Sequence, residues 1–187
     1  AKAFDAAALH GTSSPFGAEQ NLAATTKAVK LGTAKQPQGG LFGDINSGLD
    51  LLAKARKKLN GFVFDDIVEP MMNTAMDTTG RPIFISAPTN GTAEPVRSGT
   101  LLGRNALFAE EVAPSTETGA TVGFGGDFTK VVWGTVGGIT FDVSTEAAVT
   151  IGGKLVSLFE NNLVAVRAEA EYGLLVADKD AFVKYTI

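Results

Sequence analysis

Leu163-Val164-Ala165-Val166-Arg167-Ala168-Glu169-Ala170-Glu171-Tyr172-Gly173-Leu174-Leu175-Val176 alternates apolar and polar residues with a period of two. The even positions, Val164 through Val176, are apolar or aromatic, and the odd ones include Arg167, Glu169 and Glu171. Side chains alternate across a strand, whereas a helix repeats every 3.6 residues, so the pattern predicts a strand over 163–176. A strand of that length spans about 45 Å, where most run to about five or six residues. It implies an elongated protein. If the even face is buried, Val166→Asp places an unpaired charge in a core and costs several kcal/mol. Asp178-Lys179-Asp180 then turns the chain, and 181–187 reads as a closing strand.

Upstream of this segment the pattern is also β. Residues 105–110, 121–124, 129–134 and 139–143 read as strands between Gly-rich turns. Residues 86–100 read as an exposed polar loop. Phe62-Val63-Phe64 and Ile83-Phe84-Ile85 are short strands, with a helix over 69–76 between them that tolerates Pro70 in its first turn. The strongest helix signal covers 44–60. Ile45, Leu49, Leu52, Ala53 and Leu59 share one face, Asp44 stands at the cap and Gly61 at the stop. Lys54, Arg56, Lys57 and Lys58 complement the helix C-terminus and read as a solvated end. Residues 11–43 are rich in Gly, Ser, Thr, Pro and Gln, with one short strand or helix over 22–31. Ala-rich residues 2–10 form a helix that stops at Gly11. No capping residue precedes Ala1, so this helix is expected to continue one begun upstream. The whole is an α+β chain rich in turns.

Composition narrows the chemistry. The 187 residues include no cysteine, which removes disulfides, cysteine zinc sites and thiol nucleophiles. The formal net charge is −4, with 8 Lys/Arg against 4 Asp/Glu in residues 1–60 and 8 against 16 thereafter. Neither part has the basic surplus of a nucleic-acid binder. No apolar run approaches the roughly 18 residues of a membrane helix. His10 is the single histidine, and at a helix C-terminus it reads as a cationic cap rather than a catalytic base. No Gly-x-Ser-x-Gly elbow accompanies it. Asp65-Asp66 and Glu110-Glu111 are adjacent pairs whose members point to opposite faces of a strand, so neither forms a dyad by itself. No spacing supports Mg²⁺ or Ca²⁺ at these acids. Gly123-Phe124-Gly125-Gly126 lacks the Lys-Ser/Thr of a phosphate loop. Asn90-Gly91-Thr92 fits a glycosylation sequon, a pattern common by chance. The reading is therefore of a protein with no catalytic, cofactor or metal residues.

Three stretches together resemble the C-terminal two-thirds of a tailed-phage major capsid protein of the Hong Kong 97 type. Phe4-Asp5-Ala6-Ala7-Ala8-Leu9-His10-Gly11-Thr12 resembles the end of that family's spine helix. Residues 44–60, Phe62-Val63-Phe64 and Thr79-Gly80-Arg81-Pro82-Ile83-Phe84 resemble the helix, strand and turn of its axial domain. Phe159-Glu160-Asn161-Asn162-Leu163-Val164-Ala165-Val166-Arg167-Ala168-Glu169 with Ala181-Phe182-Val183 resembles its long peripheral strand and closing segment. Gly126-Asp127-Phe128 matches the entry to a β-hairpin between them.

The resemblance implies three parts. Residues 1–43 are the end of the spine helix and the following peripheral loop, 44–145 are mainly axial domain, and 146–187 are the long peripheral strand and closing strand. It implies a structural subunit that joins copies of itself into pentamers and hexamers enclosing DNA in a phage head. The virion subunit is made in the bacterial cytoplasm, touches packaged DNA only non-specifically, and has no membrane or small-molecule partner. Some relatives cross-link through an Asn at the start of the peripheral strand, a place taken here by Asn161 or Asn162. The assisting Glu falls on Ala168 or Glu169, an imperfect registration, and the other reading is of Asn residues in the turn before a strand. An encapsulin-like nanocompartment shell and a ligand-binding α+β domain are the alternative functions.

Overall fold

A computed structural model describes residues 2–35, 39–76, 79–82, 84–86 and 96–187. The sequon at 90–92, Ile83 and the tip of the Gln-Pro-Gln breaker lie outside the described residues. The chain divides into two units, Ala1–Val132 with Leu174–Ile187, and Trp133–Gly173. These units cut across the segments 1–43, 44–145 and 146–187, because hydrogen bonding joins strands distant in sequence.

In the first unit, helix α1 (Lys2–His10) ends at Gly11, whose φ of 70° lets its N–H return to the Ala7 carbonyl at 3.0 Å. Residues 22–31 hold both a 3₁₀ turn, Leu22–Ala24, and strand β1 (Ala28–Lys30). Helix α2 (Gly40–Lys54) starts and ends earlier than the expected 44–60. Its stop is Arg56 rather than Gly61: Arg56 takes φ 55°, and the Lys57 N–H bonds back to the Leu52 carbonyl at 2.9 Å. Asp44 is therefore not a cap. It lies inside the helix, is buried, and accepts from the Thr33 N–H (3.1 Å), the Thr33 hydroxyl (3.0 Å) and the Ala34 N–H (3.0 Å). Strand β2 (Gly61–Asp65) leads through a 3₁₀ turn capped by Asp65 into helix α3 (Glu69–Thr74), with Pro70 in its first turn.

Strands β3 (Phe84–Ser86), β4 (Val96–Leu101), β5 (Arg104–Ala109), β6 (Thr121–Gly126) and β11 (Phe182–Thr186) complete a seven-stranded mixed sheet, ordered β1-β11-β6-β2-β5-β4-β3. The expectation of an exposed loop through residue 100 is corrected by β4. Leu102 and Gly103 both take positive φ, 52° and 70°, which closes a tight hairpin between β4 and β5. One sheet face presents Phe62, Phe64, Phe108 and Tyr185 to Ile45 and Leu52 of α2, Val68 of the 3₁₀ turn and Met72 of α3. The opposite face packs Phe124 and Phe182 against Leu9, Leu22 and Val112. Alternation along β2 assigns Val63 to this second layer.

The second unit carries most of two long strands, β7 (Val131–Ser144) and β10 (Ala165–Val176), which pair as a two-stranded sheet. Strand β7 replaces the two strands expected over 129–134 and 139–143, so the chain has two long strands rather than one. Gly137 and Gly138, with φ 71° and 76°, lie within it without ending it. A hairpin absent from the sequence reading, β8 (Ala148–Ile151) and β9 (Lys154–Ser157), turns at Gly152 and Gly153, both at positive φ. Strand β10 has the expected alternation, but most of its even face is not buried: Val166 is 65% exposed, and only Val176 at the strand's end is buried. Among the described residues no helix is long and apolar enough to cross a membrane.

Three stability outcomes follow from these contacts. Asp44→Ala strands the donors of Thr33 and Ala34 and should cost about 2–4 kcal/mol in a thermal or urea melt. A Cβ at Gly48 would lie 2.9 Å from Tyr185 Cζ, so Gly48→Ala should cost about 1–3 kcal/mol despite the better helix propensity of alanine. Val166→Asp should melt within about 0.5 kcal/mol of wild type, contrary to the buried-strand expectation.

Candidate functional site

The β7–β10 ribbon is amphipathic by construction. Arg167 donates to Asp142 at 2.8 Å and lies 3.2 Å from Glu169, which assigns these three to one face. The hydrogen bond to Asp142 is the main reason the guanidinium holds its proton more tightly than usual. By alternation Phe141, Val143, Val166 and Ala168 share the other face. Phe141 is 68% exposed, and on the neighbouring segments Leu155 is 76% and Phe159 79% exposed. Isolated apolar side chains on a surface are ordinary, but a run of this size marks an interaction surface. Two antiparallel strands alone are also marginal in water, so the ribbon has reason to acquire cover.

The residues singled out by sequence do not converge on a chemical centre. Asn161 is exposed and donates its amide to the Ser157 carbonyl at 2.8 Å. Asn162 takes the left-handed conformation at φ 52°, which asparagine tolerates better than most residues. Both lie in the turn that enters β10. His10 is not the cationic cap expected of it. Its Nε2 lies 2.7 Å from the Val112 carbonyl, and its ring packs 5.6 Å from that of Phe124. Burial lowers its pKa, outweighing the opposing Val112 hydrogen bond.

The acidic pairs separate into structural roles. Asp65 accepts from Ile67 N–H at 3.1 Å and Ala113 N–H at 2.9 Å, tying the end of β2 to the connection after β5. Burial, then the charges of Asp65, Glu69 and Glu110, raise the Asp66 pKa, while Arg97 opposes them. Arg97 itself pairs with Glu69 at 2.6 Å. Glu111 turns away at φ 66° to pair with Lys2. Among the described residues no group of three or more His, Asp or Glu side chains is arranged to hold a metal ion. A cleft of about 360 Å³ between α2 and α3 is lined by Gly32, Leu41, Met71, Thr74 and Met76, without a charged side chain.

Other contacts, several of them at residues quoted from the sequence, were invisible to sequence reasoning. Asn60 donates to Asp127 at 2.7 Å and accepts from the Phe128 N–H at 3.1 Å, locking the entry to β7. The Thr129 hydroxyl, 2.6 Å from Asp127, does most to lower that carboxyl's pKa. Gly123, Gly125 and Gly126 form no phosphate cradle. Side chains there would run into Phe64, Phe62 and Phe182, so these glycines serve packing. The Asn60–Asp127 pair spans 67 residues, and local spacing carries no signal for it.

The model of the family described as "Phage capsid family" matches residues 1–187. The chain is 40% identical over 190 residues to the probable major capsid protein gp17 of Mycobacterium phage D29. It is 43% identical over 195 residues to the corresponding protein of Mycobacterium phage L5. In both cases all of this chain aligns to 58% of the relative's length. Among solved structures, a chain from Microbacterium phage Oxtober96 superposes with a TM-score of 0.71 at 22% identity, over 99% of this chain and 60% of the other. A chain from Gordonia phage Cozz gives 0.67 at 22%, over 99% and 58%. The capsid of a native GTA particle gives 0.55 at 19%, over 98% and 66%. These structures bear on the fold alone, and the fold is the α+β Hong Kong 97 type. The chain belongs to the phage capsid family.

Proposed function

We propose that this chain is the greater part of a major capsid protein, a structural subunit that assembles with copies of itself into the pentamers and hexamers of a phage head. The observation that carries this reading is its alignment along the full chain with two probable major capsid proteins at 40% and 43% identity. The exposed apolar ribbon supports it, since a shell subunit needs surface that becomes buried on assembly. The family is structural, and the reading assigns no residue a catalytic role. Packaged DNA is touched only non-specifically, in keeping with a net charge of −4. The subunit's place is the virion, after synthesis in the host cytoplasm.

Within this reading α1 is the end of the spine helix, the seven-stranded sheet with α2 and α3 is the axial domain, and the long strands belong to the peripheral domain. Asn161 and Asn162 act as turn formers rather than cross-link sites. Denaturing electrophoresis of assembled particles should therefore run the subunit at monomer mass, and a ladder lost in Asn161→Asp or Asn162→Asp would reverse that assignment.

Negative-stain electron microscopy tests the main proposal on this sequence expressed at the length of its gp17 relatives. Closed shells tens of nanometres across are expected, with nucleic acid as the native content. Protein cargo in place of nucleic acid would indicate a nanocompartment. Phe141→Asp and Val166→Asp should abolish shells without lowering the melting temperature of the 187-residue chain by more than about 2 °C. Shell formation at the wild-type level by both variants would remove the ribbon from the assembly surface.

A further inference from the structure

Two Asn-Gly pairs occur in the sequence, and one of them, Asn60-Gly61, stands at the head of β2, inside the clasp that locks the entry to β7. Asparagine before glycine is the pairing most prone to lose its side-chain amide, because glycine puts no Cβ in the way of its own backbone nitrogen. Packing does not demand this glycine. A Cβ at Gly61 would stand 3.4 Å from the Asn105 carbonyl oxygen and 3.5 Å from the Phe128 ring, ordinary contact distances. That sets it apart from Gly48, Gly123 and Gly126, where a Cβ would collide. Asn60 itself is exposed, so water reaches its side chain.

The reaction of such a pair needs no partner but water. The Gly61 nitrogen attacks the side-chain carbonyl carbon Cγ of Asn60 and gives its proton to water. The bond from Cγ to Nδ2 breaks, and the amide nitrogen takes up a proton and leaves as ammonia. Water then opens the five-membered imide at either carbonyl, giving aspartate or isoaspartate. Nothing is oxidised or reduced. The fold opposes the first step at both reacting groups. Nδ2 donates to Asp127 at 2.7 Å and Oδ1 accepts from the Phe128 N–H at 3.1 Å, so the side-chain amide is held at both ends. The Asn60 N–H bonds to the Gly126 carbonyl at 2.9 Å, and Gly61 is paired with Asn105 on one side and Gly126 on the other. Ring closure requires the side chain to leave Asp127 and Phe128 and the Gly61 peptide to turn between its two neighbours.

We propose that Asn60 is a modification site, a self-cyclising asparagine that the Asp127 clasp keeps intact and that converts to aspartate or isoaspartate only when the clasp opens. Since conversion passes through the opened form, its native rate is the unfolded rate multiplied by the opened fraction. Losing one hydrogen bond to an ionised carboxylate raises that fraction by about tenfold or more. Asp127 stays ionised in the mildly alkaline range that favours the reaction, because the Thr129 hydroxyl holds its carboxyl below the ordinary range. Conversion is one-way. An aspartate at position 60 loses the donor to Asp127 and sets a second carboxylate against the first, and an isoaspartate also lengthens the backbone ahead of β2. Either product keeps the clasp from closing again, so a transient opening at the entry to β7 becomes permanent.

Peptide mapping by mass spectrometry, after incubation of the 187-residue chain in warm, mildly alkaline buffer, tests the site. Fragment ions assign a gain of one mass unit to Asn60 rather than to Asn73 or Asn90. The folded chain should convert at least about tenfold more slowly than the same chain unfolded in guanidinium chloride; equal rates would overturn the proposal. Asp127→Ala, shown to be folded by its thermal melt, should convert about tenfold faster than wild type, and a wild-type rate would refute the clasp. If Asp127→Ala does not fold, Asp127→Asn carries the test. Its uncharged oxygen holds Nδ2 less firmly, so conversion should rise severalfold, and an unchanged rate would refute the clasp. Gly61→Ala should suppress conversion in the folded and the unfolded chain alike. Conversion of Gly61→Ala at the wild-type rate would show that the Gly61 nitrogen is not the nucleophile and would overturn the proposal.

Discussion

Strand β11 holds the first unit together. Its five residues pair in parallel with β1, Ala28 opposite Lys184, and antiparallel with β6, Phe182 opposite Gly126. The side chains feed both core layers at once: Val183 and Tyr185 face α2, and Phe182 faces the α1 side. The Thr25 hydroxyl donates to the Phe182 carbonyl at 2.7 Å, securing the approach to β1. Close packing then constrains the neighbours. Gly48 lets α2 approach the Tyr185 ring, and the β6 glycines make room for Phe62, Phe64 and Phe182. Tyr185 is fully buried, its hydroxyl donating to the Ile45 carbonyl at 3.4 Å, and burial alone pushes its pKa up.

The second unit obeys a different logic. Each of its strands is paired on one edge only, and most of its apolar side chains, Leu158 excepted, have no layer over them, in contrast to the two-sided core of the sheet. An isolated monomer gains nothing from exposing Phe141, Leu155 and Phe159. A subunit that must join others does, because such surface contributes to association when it is covered. The division between a closed core and an open ribbon is thus a physical counterpart of the proposed role in a shell.

Electrostatics adds little to the stability of this chain and more to its local organisation. The Arg167–Asp142 and Lys54–Asp50 pairs are more than half exposed and screened by solvent. Lys57 and Asp178, 2.6 Å apart, connect the end of α2 to the turn before β11, and their hydrogen bond holds the carboxyl below its ordinary range. His10, at a helix end, has its pKa lowered by burial, against the opposing hydrogen bond to Val112.

Sequence determined what depends on local periodicity and on residue type. The alternation through Val166, Ala168 and Ala170 is a property of the chain itself, and it became β10. The Ala-rich run before Gly11, Pro70 at a helix start and Phe62-Val63-Phe64 were legible for the same reason. The absence of cysteine and the single histidine restricted the chemistry before any fold was known, and the quoted motifs were sufficient to suggest the capsid family. Tertiary structure decided what depends on partners remote in sequence. Alternation shows that a strand has two faces but not whether the apolar one is covered, so Val166 was misread as buried. Helix periodicity located α2 only to within about two turns, because the positive φ of Arg56 ends the helix and the reach of Asp44 to Thr33 gives that residue a role other than a cap. Histidine at a helix terminus looked cationic until Val112, distant in sequence, and Phe124 supplied its surroundings. Burial and long-range hydrogen bonds are properties of the packed chain, and they governed each of these outcomes.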